Sequence, residues 1–301
     1  MLTLKAALEE ASASIGRVDA HAIVTHLLGV DRAYLIANPM RVLTESEDAR
    51  IDLAVAHRAM GHPVAYLLGK REFYSRDFTV GPDVLIPRPE TETLVEAALA
   101  RLRRPLVAPD AANARLPRPL VAPDAANAAM VRGPICLDLG TGSGAIALTL
   151  ACERPDLRVT ATDASQAALE VAGANSLALS CADRVEFLQG PWYAPVAGRR
   201  FDLIVSNPPY VAEGDRHLAE GDLRFEPQSA LTDGSRDGLD STRAIIAGAA
   251  EHLNPGGWLL LEHGHDQSEA VESLLCAAGF QDVVSISDLA GIPRVAGGKI
   301  R

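Results

Sequence analysis

Residues 136–148 have the sequence CLDLGTGSGAIAL, in which an apolar run leads directly into a glycine-rich turn. The apolar run predicts a buried strand that ends just before Gly140. Glycines at Gly140, Gly142 and Gly144 let the backbone turn tightly and approach a ligand closely, because they lack side chains. Ala145 and the apolar residues after it predict a helix. A strand, a glycine loop and a helix in this order predict a site for a nucleotide-like ligand at the carboxyl end of the strand.

On both sides of this stretch, within a predicted domain at 91–301, apolar strands alternate with helical stretches. The alternation predicts an α/β fold, in which a mostly parallel sheet carries helices on both faces. Ligands of such sheets bind at the carboxyl ends of the strands. The predicted strands lie at 135–139, 158–162, 185–188, 201–206, 258–262, 282–286 and 294–300, and the predicted helices at 145–152, 166–177 and 242–253.

The first 70 residues have a different character and predict a small helical bundle. In residues 19–30 the apolar side chains share one helical face, and Gly29 is placed to end that helix. Thr44 and Glu47 form a capping box that predicts another helix start. We expect residues 1–70 to form a separate amino-terminal domain.

Two further segments differ from both domains. Residues 71–90 have alternating apolar positions and a turn signal at Gly81 and Pro82, which predict a hairpin linker. The segment RPLVAPDAANA occurs twice, at 104–114 and 118–128. Because its proline- and alanine-rich composition has neither strand nor helix periodicity, we expect a duplicated flexible loop over 104–131.

Composition limits the kinds of partner. Lys and Arg number 28 against 39 for Asp and Glu in the 301 residues, a formal net charge of -11. No overall field therefore attracts the chain to nucleic acid or to an anionic membrane, and no apolar stretch approaches the ~20 residues of a membrane span. The four cysteines lie far apart without a C-x-x-C pair, which favours reduced thiols over a zinc site or disulfides. We expect a cytoplasmic protein that binds no metal and contacts neither membrane nor nucleic acid directly.

Acidic residues near the glycine loop indicate the kind of ligand. Asp163 ends the second predicted strand, where a carboxylate accepts hydrogen bonds from ribose hydroxyls; with the Gly140-x-Gly142-x-x-Ala145 spacing, it fits NAD as well as S-adenosylmethionine. Asp138 favours S-adenosylmethionine, since a carboxylate suits a cationic amino group better than a pyrophosphate. The motif DLGTGSG also resembles the cofactor motif of Rossmann-like methyltransferases. The predicted cofactor contacts are Asp138, Gly140, Thr141, Gly142, Ser143, Gly144 and Asp163.

A second motif, Asn207-Pro208-Pro209-Tyr210, follows the predicted strand at 201–206 and so belongs at the same edge of the sheet. An amide or aromatic-amine nitrogen is a weak nucleophile, so an enzyme must accept its N–H bonds and aim its lone pair at a methyl donor. Asn207 Oδ1 and the Pro208 carbonyl are suitable acceptors on a loop that the prolines make rigid, and Tyr210 offers a flat face for a planar group. The motif predicts metal-free methyl transfer, with Asn207, Pro208 and Tyr210 as catalytic residues and with Pro209 beside them around the acceptor.

Three longer segments carry a resemblance to one family: REFYSRDFTVGPDVLIPRPETETLVEAAL at 71–99, SNPPYVAEGDRHLAEGDLRFEPQSAL at 206–231, and GGWLLLEHG at 256–264. Over nearly its whole length the chain resembles the bacterial peptide chain release factor N5-glutamine methyltransferases. The resemblance implies a Rossmann-like sheet with an antiparallel last strand, S-adenosylmethionine as cofactor, and a substrate-docking role for the helical domain. It also implies methyl transfer to the glutamine amide in the Gly-Gly-Gln motif of class I peptide chain release factors.

The resemblance also assigns single residues. It implies that Trp192 lies near the adenine, and that Asn207 touches the cofactor as well as the glutamine. Pro191 stands where members of the family often have an acidic residue. A side-chain contact to the adenine amine is therefore missing, or the backbone makes it.

Other interpretations stay open at this point. A nucleic-acid exocyclic-amine (adenine) methyltransferase would extrude its base and neutralise phosphates, but the acidic chain has no basic run. A NAD-binding or non-catalytic module would explain the glycines and leave Asn207 to Tyr210 without a role. Residues 224–227 form a lid, a wall of the acceptor pocket or a simple loop. His263 and His265 lack an evident third ligand, so packing is favoured over metal binding.

Overall fold

The computed structural model describes residues 2–102 and 133–301, and the predicted repeat loop at 104–131 lies outside the described residues. Within residues 2–69 the chain forms α1 Leu4–Ile15, α2 Arg17–Leu28, α3 Arg32–Ala37, α4 Glu45–Ala59 and α5 Val64–Leu68. Gly29 ends α2 in the left-handed conformation, and Thr44 and Glu47 form the capping box of α4. The helices share a core of their own, formed by Leu4, Ala7, Val24, Leu35, Leu43 and Ile51. The predicted helical bundle is confirmed.

The carboxyl-terminal part contains one seven-stranded sheet within residues 133–301. Its strands are β3 Ile135–Leu139, β4 Arg158–Asp163, β5 Val185–Gln189, β6 Phe201–Ser206, β7 Leu253–Glu262, β8 Gln281–Ser287 and β9 Pro293–Lys299. They lie in the order β5-β4-β3-β6-β7-β9-β8, and β9 runs antiparallel to both of its neighbours. The pairs from β5 to β7 are parallel. The predicted α/β fold class is confirmed, with its antiparallel last strand.

Helices cover both faces of this sheet. They are α6 Glu92–Leu102, α7 Ala145–Glu153, α8 Gln166–Ala178, α9 Gln228–Leu231, α10 Asp240–His252 and α11 Ser268–Ala277. Short 3-10 helices lie at Pro89–Thr91, Ala182–Arg184, Ala194–Val196, Arg216–Ala219 and Leu223–Phe225. Apolar side chains of α6 and α7 pack in the core of one face, and those of α10 and α11 pack in the core of the other. No helix in the described ranges is long and apolar enough to cross a membrane.

The hairpin lies earlier and is shorter than the predicted linker at 71–90. Strands β1 (Lys70–Phe73) and β2 (Arg76–Thr79) pair antiparallel. Tyr74 and Ser75 form the turn between them. The predicted turn at Gly81 and Pro82 is present, since the Val84 N–H donates to the Gly81 carbonyl at 3.1 Å, but it follows the hairpin and does not connect its strands. Both residues of the hairpin turn have positive φ, 49° and 58°, a conformation that favours glycine or asparagine. The residue types at this turn therefore give no turn signal in the sequence.

The hairpin is packed into the α/β part and is not a loose connection. Phe73 and Phe78 are buried in the same core as α6 and α7, and their rings meet edge to face with centroids 6.0 Å apart. Asn175 of α8 fastens the end of β2, because its Oδ1 accepts from the Thr79 N–H at 2.7 Å and its Nδ2 donates to the Thr79 carbonyl at 3.0 Å. The chain after Thr79 therefore starts from a fixed point.

The order of the strands determines at which edge of the sheet a ligand can bind. From β3 the chain continues to β4 and β5 on one side, and later to β6 and β7 on the other. Such a switch between two neighbouring parallel strands leaves a crevice at their carboxyl ends. Gly140, Asp163 and Asn207 directly follow or end β3, β4 and β6, so the fold brings them to one edge.

Candidate active site

A cavity of about 600 Å³ opens at this edge. Its wall comes from six stretches of chain, within residues 82–91, 140–146, 163–168, 190–192, 207–209 and 227–241. Of the predicted site residues, the wall includes Gly140, Thr141, Gly142, Ser143, Asp163, Trp192, Asn207 and Pro209. The other four, Asp138, Gly144, Pro208 and Tyr210, lie behind it.

The glycine loop has a backbone conformation that other residues rarely adopt. Gly140, Gly142 and Gly144 have φ of 72°, 55° and 83°. A Cβ on Gly144 would lie 2.8 Å from the Leu148 side chain, so this glycine also lets the first turn of α7 approach the loop. The packing of α7 against the loop therefore requires glycine at position 144, independently of any ligand in the cavity.

The amides of this loop are bound to β4. The N–H groups of Gly140 and Thr141 donate to the Thr162 carbonyl at 2.8 and 3.0 Å, and the Gly142 N–H donates to Asp163 at 2.9 Å. Glycine loops that bind a pyrophosphate need such donors to point at the ligand. Here three consecutive donors are already used, so they are not offered to a phosphate group.

Asp163 presents a carboxylate that the backbone holds in place. Its Oδ2 accepts from the Gly142 N–H and its Oδ1 from the Ser165 N–H, both at 2.9 Å. Each carboxylate oxygen has a second lone pair, so both can still accept from a ligand in the cavity. The predicted contact to ribose hydroxyls stays a prediction.

Asp138 is fully buried beneath the loop. Its Oδ2 accepts from the Thr141 hydroxyl at 2.7 Å, whereas its Oδ1 has no hydrogen-bond partner among the described residues. Burial raises the pKa of Asp138 to about 7, against the lowering effect of the Thr141 hydrogen bond. Asp138 thus supports Thr141, which lines the cavity, and its predicted contact to an amino group of the ligand stays a prediction.

The Trp192 ring lies next to Gly140 in the cavity wall. A Cβ built on Gly140 would be 3.6 Å from the Trp192 ring, and the Trp192 carbonyl accepts from the Thr162 hydroxyl at 3.2 Å. The neighbouring Pro191 is also part of the wall. At this position the wall offers a flat ring and an apolar side chain without a carboxylate.

Asn207 is held from one side only. Its Nδ2 donates to the Thr91 hydroxyl at 3.3 Å, and Thr91 is itself buried and part of the cavity wall. No described residue donates to Asn207 Oδ1. Because Nδ2 is directed at Thr91, Oδ1 is the acceptor atom left for a molecule in the cavity.

Two other residues of the motif, Pro208 and Tyr210, lie behind the cavity wall. Pro209 lines the cavity, but Pro208 is buried outside the wall. The Tyr210 hydroxyl donates to Glu262 Oε1 at 3.3 Å, and the Tyr210 carbonyl accepts from Gln267 Nε2 at 3.0 Å. The predicted acceptor role of the Pro208 carbonyl and the predicted stacking on Tyr210 stay predictions.

The charged side chains of the wall are mainly acidic. Within the described residues they are Asp83, Asp163 and Asp233 against the guanidinium of Arg88. The Arg88 guanidinium is paired with the buried Glu226, so it is partly neutralised. A wall with this charge favours a cationic ligand over a diphosphate.

The segment after the motif joins the cavity to the helical bundle. Arg58 of α4 forms a salt bridge with Asp222 at 2.9 Å, and Arg224 donates to the Met60 carbonyl. Glu226 then accepts from the Ile86 N–H at 3.0 Å, and the next residue, Pro227, lines the cavity. Of residues 224–227, Pro227 lines the cavity, and Arg224 and Glu226 bind the stretch to Met60 and Ile86; the choice among lid, pocket wall and simple loop stays a prediction.

Several residues of this site were missed in the sequence. Thr91, Asp233 and the extended chain around Arg88 have no motif of their own, and only the fold brings them to the cavity. Glu262 carries a weak signal, because an acidic residue ends the apolar strand that lies next to the Asn207 strand. A carboxylate directly after four apolar strand residues is uncommon, because charged side chains are rarely buried.

The two histidines beyond β7 do not form a metal site. His263 is buried with its Nδ1 2.8 Å from the Gly264 carbonyl, and burial lowers its pKa. His265 lies beside Asp266 at the surface. Over the described part of the chain, no group of three or more His, Cys, Asp or Glu side chains is arranged to hold a metal ion.

Comparison with known proteins identifies the family. Residues 3–69 match the family described as PrmC N-terminal domain, and residues 127–223 match the one described as methyltransferase small domain. A curated relative from Xylella fastidiosa (strain Temecula1), named release factor glutamine methyltransferase, is 48% identical over 98% of this chain and 97% of its own length. The chain belongs to the release factor glutamine methyltransferase family.

Other relatives agree with this assignment. A protein of the same name from Burkholderia pseudomallei is 47% identical over 94% of this chain and 92% of its own length. A solved methyltransferase structure from Pyrococcus furiosus has a TM-score of 0.51 and 18% identity, covering 85% of this chain and 98% of that one. The structural likeness shows the fold alone. The sequence relatives confirm the family predicted from residues 71–99, 206–231 and 256–264.

Proposed function

We propose that this chain transfers a methyl group from S-adenosylmethionine to the side-chain amide nitrogen of a glutamine in a class I peptide chain release factor. The observation that carries the proposal is the Asn207 amide, whose Nδ2 is bound to Thr91 and whose Oδ1 is left to accept from the cavity. The names of the relatives support the kind of substrate. The resemblance of the motifs supports the Gly-Gly-Gln glutamine as the acceptor.

The cavity fits S-adenosylmethionine better than NAD. The amides of Gly140, Thr141 and Gly142 are used within the protein, so a diphosphate would lack its usual donors. The acidic wall suits a cation. When bound, S-adenosylmethionine supplies an electrophilic methyl group on a positively charged sulfur. Asp163 would hold its ribose, Trp192 its adenine, and the glycine loop above Asp138 its methionine part.

The residues of the chain have to make an amide nitrogen reactive. Asn207 Oδ1, and the Pro208 carbonyl beside it, would accept the two N–H groups of the glutamine amide and so fix its orientation. The prolines hold these acceptors before the substrate arrives, which reduces the entropy lost on reaching a reactive geometry.

We further propose a division of labour between the parts of the chain. Residues 1–70 would dock the release factor. Residues 71–90 would join the two parts and contribute to the cavity wall, and residues 91–301 would bind the cofactor and carry out the transfer. Seven of the ten large apolar side chains that are exposed in the described residues lie between Val18 and Met60. A contiguous apolar surface is typical of a protein-binding site, so this number of exposed apolar side chains in the helical domain supports it as the docking part. A release factor as partner would place the reaction in the cytoplasm.

The proposal is tested by mass spectrometry of a class I release factor after incubation with the enzyme and S-adenosylmethionine. We expect one methyl group on the glutamine of the Gly-Gly-Gln motif. A release factor in which asparagine replaces this glutamine should stay unlabelled, because the shorter side chain does not reach the donor. Methylation of a DNA oligonucleotide without methylation of the release factor would favour the nucleic-acid alternative and overturn the proposal.

A further inference from the structure

Glu262 occupies a position that a carboxylate rarely takes. It is the last residue of β7, whose Leu261 lies opposite Ser206 in the parallel pair with β6. Asn207 follows Ser206, so Glu262 and Asn207 leave neighbouring strands at the same level. Glu262 is 1% exposed and is not part of the cavity wall. A carboxyl group is therefore buried directly behind the predicted catalytic loop.

The contacts of Glu262 lead to both ends of this loop. Its Oε1 accepts from the Tyr210 hydroxyl at 3.3 Å, and the Thr91 hydroxyl lies beside the same carboxyl group. The same Thr91 oxygen accepts from Asn207 Nδ2 at 3.3 Å. Three elements that are distant in sequence thus converge behind the loop: the end of β7, the 3-10 helix Pro89–Thr91 and the chain after β6.

The contacts of Glu262 do not explain why this position holds a charged side chain. Among the described residues nothing bonds to Glu262 Oε2, and a buried polar atom without a partner is costly. Burial raises the pKa of Glu262 to about 7, against the lowering effects of Thr91, Tyr210 and Arg294, while Glu90 raises it further. The adjacent His263 is buried, and its own pKa is lowered. Glutamine would fill the same volume without a charge.

A carboxylate sets the direction of the hydrogen bonds around it, because it can only accept. The Tyr210 hydroxyl then donates to Glu262, and the negative charge favours the orientation in which the nearby Thr91 hydroxyl turns its proton toward the carboxylate. The lone pairs of Thr91 are left for Asn207 Nδ2, which turns Asn207 Oδ1 toward the cavity. A glutamine side chain or a protonated carboxyl group carries a donor of its own. The Thr91 hydroxyl can then accept from residue 262 and no longer has a fixed direction.

We propose that Glu262 is a positioning residue of the transfer reaction, which fixes Tyr210 directly and the Asn207 amide through Thr91. The inference rests on the proposed function, since it assumes that Asn207 Oδ1 orients an amide acceptor. Glu262 touches neither substrate nor cofactor. Its effect is on the orientation of the acceptor and not on the affinity for the cofactor.

The test is the Glu262→Gln variant of the full chain, assayed with a release factor and S-adenosylmethionine. We expect kcat to fall by about tenfold to a hundredfold, as when a reactive group is misplaced, with cofactor Kd and KM for the release factor changed less than twofold. The kcat of the unaltered enzyme should rise with pH through about 7, where Glu262 ionises, and the variant should lack this rise. The urea midpoint of the variant at pH 8 should be equal or higher.

A second variant makes the test independent of how well the first one folds. Thr91→Val removes the hydroxyl between Glu262 and Asn207 and should cause a similar loss of kcat. The double variant should lose no more than either single variant, because both changes break the same connection. Thr149→Val, which removes a buried threonine hydroxyl from α7, is the matched control and should keep full activity.

The outcomes separate the inference from the proposed function. An unaltered enzyme that methylates no release factor would contradict the proposed function itself. With an active unaltered enzyme, the positioning role is overturned by a Glu262→Gln kcat within twofold of normal, by an unchanged pH profile, or by effects of the two variants that multiply. A parallel loss of cofactor affinity would also overturn it, since Glu262 would then act on the cofactor site.

Discussion

The side-chain amide of Asn207 contacts Thr91 on one side and the cavity on the other. Replacement by alanine removes the proposed acceptor for the substrate amide and leaves the glycine loop unchanged. We expect Asn207→Ala to keep most of its S-adenosylmethionine affinity while kcat falls by about 10² to 10³, the usual loss for one preorganised polar group. Calorimetry and methyl-transfer assays measure the two quantities.

A matched control uses another asparagine of the same sheet. Asn254 donates to Asp202 at 2.8 Å at the start of β7, away from the cavity. Asn254→Ala should therefore keep both binding and turnover. Full activity of Asn207→Ala would exclude Asn207 from the chemistry.

Asp163 is the residue on which cofactor affinity should depend most. Asp163→Asn removes the charge, and an amide can accept from only one of the Gly142 and Ser165 N–H groups that the carboxylate now binds. We expect the affinity for S-adenosylmethionine to fall about tenfold to a hundredfold, roughly 1.5 to 3 kcal/mol for a charge-assisted contact. Asp183→Asn at the surface is the control. Equal affinity of Asp163→Asn and the unaltered protein would remove Asp163 from the cofactor site.

The raised pKa of Asp138 makes stability depend on pH. The folded chain keeps a proton on this carboxyl group up to a pH of about 7, whereas the unfolded chain releases it near pH 4. The contribution of Asp138 to stability therefore decreases as the pH rises from about 4 to about 7, and then levels off. Asp138→Asn does not titrate, so its stability relative to the unaltered protein should rise between pH 5 and pH 8.

Urea unfolding of the cofactor-free proteins at these pH values measures this difference. Asp52→Asn, which removes an exposed carboxyl group of α4, is the control variant. A constant difference between Asp138→Asn and the unaltered protein would show that Asp138 does not titrate in this range.

The segment between Tyr210 and α9 connects the cavity wall to α4. Asp222 forms a salt bridge with Arg58, and Arg224 donates to the Met60 carbonyl. Asp222 is partly exposed and Arg224 is exposed, so each contact is worth only about 0.2 to 1 kcal/mol. The double variant Asp222→Ala with Arg224→Ala should loosen the segment. We expect faster proteolysis there and cofactor dissociation about two- to fivefold faster, as measured by stopped flow.

The same segment offers a control of equal charge. Arg216→Ala with Glu220→Ala removes one exposed residue of each sign and should leave proteolysis and dissociation unchanged. Equal dissociation rates in the two double variants would show that the contacts with α4 do not hold the wall.

Across the whole molecule, the boundary between the parts lies before the hairpin. A fragment that starts at Lys70 keeps Phe73 and Phe78 in the core and keeps the chain at 82–88 in the cavity wall. It should fold and bind S-adenosylmethionine, yet methylate a release factor poorly because the helical domain is missing. A fragment that starts at Arg88 lacks the two buried rings, and we expect it to aggregate or to bind no cofactor.

Circular dichroism, calorimetry and methyl-transfer assays on both fragments check these outcomes. Full activity of the fragment from Lys70 would contradict a docking role for residues 1–70. Cofactor binding by the fragment from Arg88 would show that the hairpin is a dispensable connection.

The strands, the glycine loop and the proline-containing loop after β6 were predictable from the sequence. Each depends on a local property: the apolar runs that end at Leu139 and Ser206, the conformational freedom of Gly140, and the rigidity of Pro208 and Pro209. The order of strands in a parallel sheet then brings Asp163 and Asn207 to one edge. The family resemblance rested on the segments 71–99, 206–231 and 256–264, of which one contains the loop at Asn207.

The tertiary structure alone determined which side chains face the cavity and which support them. Tyr210 belongs to the motif but turns to Glu262, and Thr91 reaches Asn207 although it lies more than a hundred residues earlier. The hairpin turn at Tyr74 and Ser75 lacks the glycine or asparagine that its positive φ angles favour. Burial of Phe73 and Phe78 on either side of the turn stabilises the hairpin instead. These features depend on burial and on contacts between distant segments, which local periodicity does not encode.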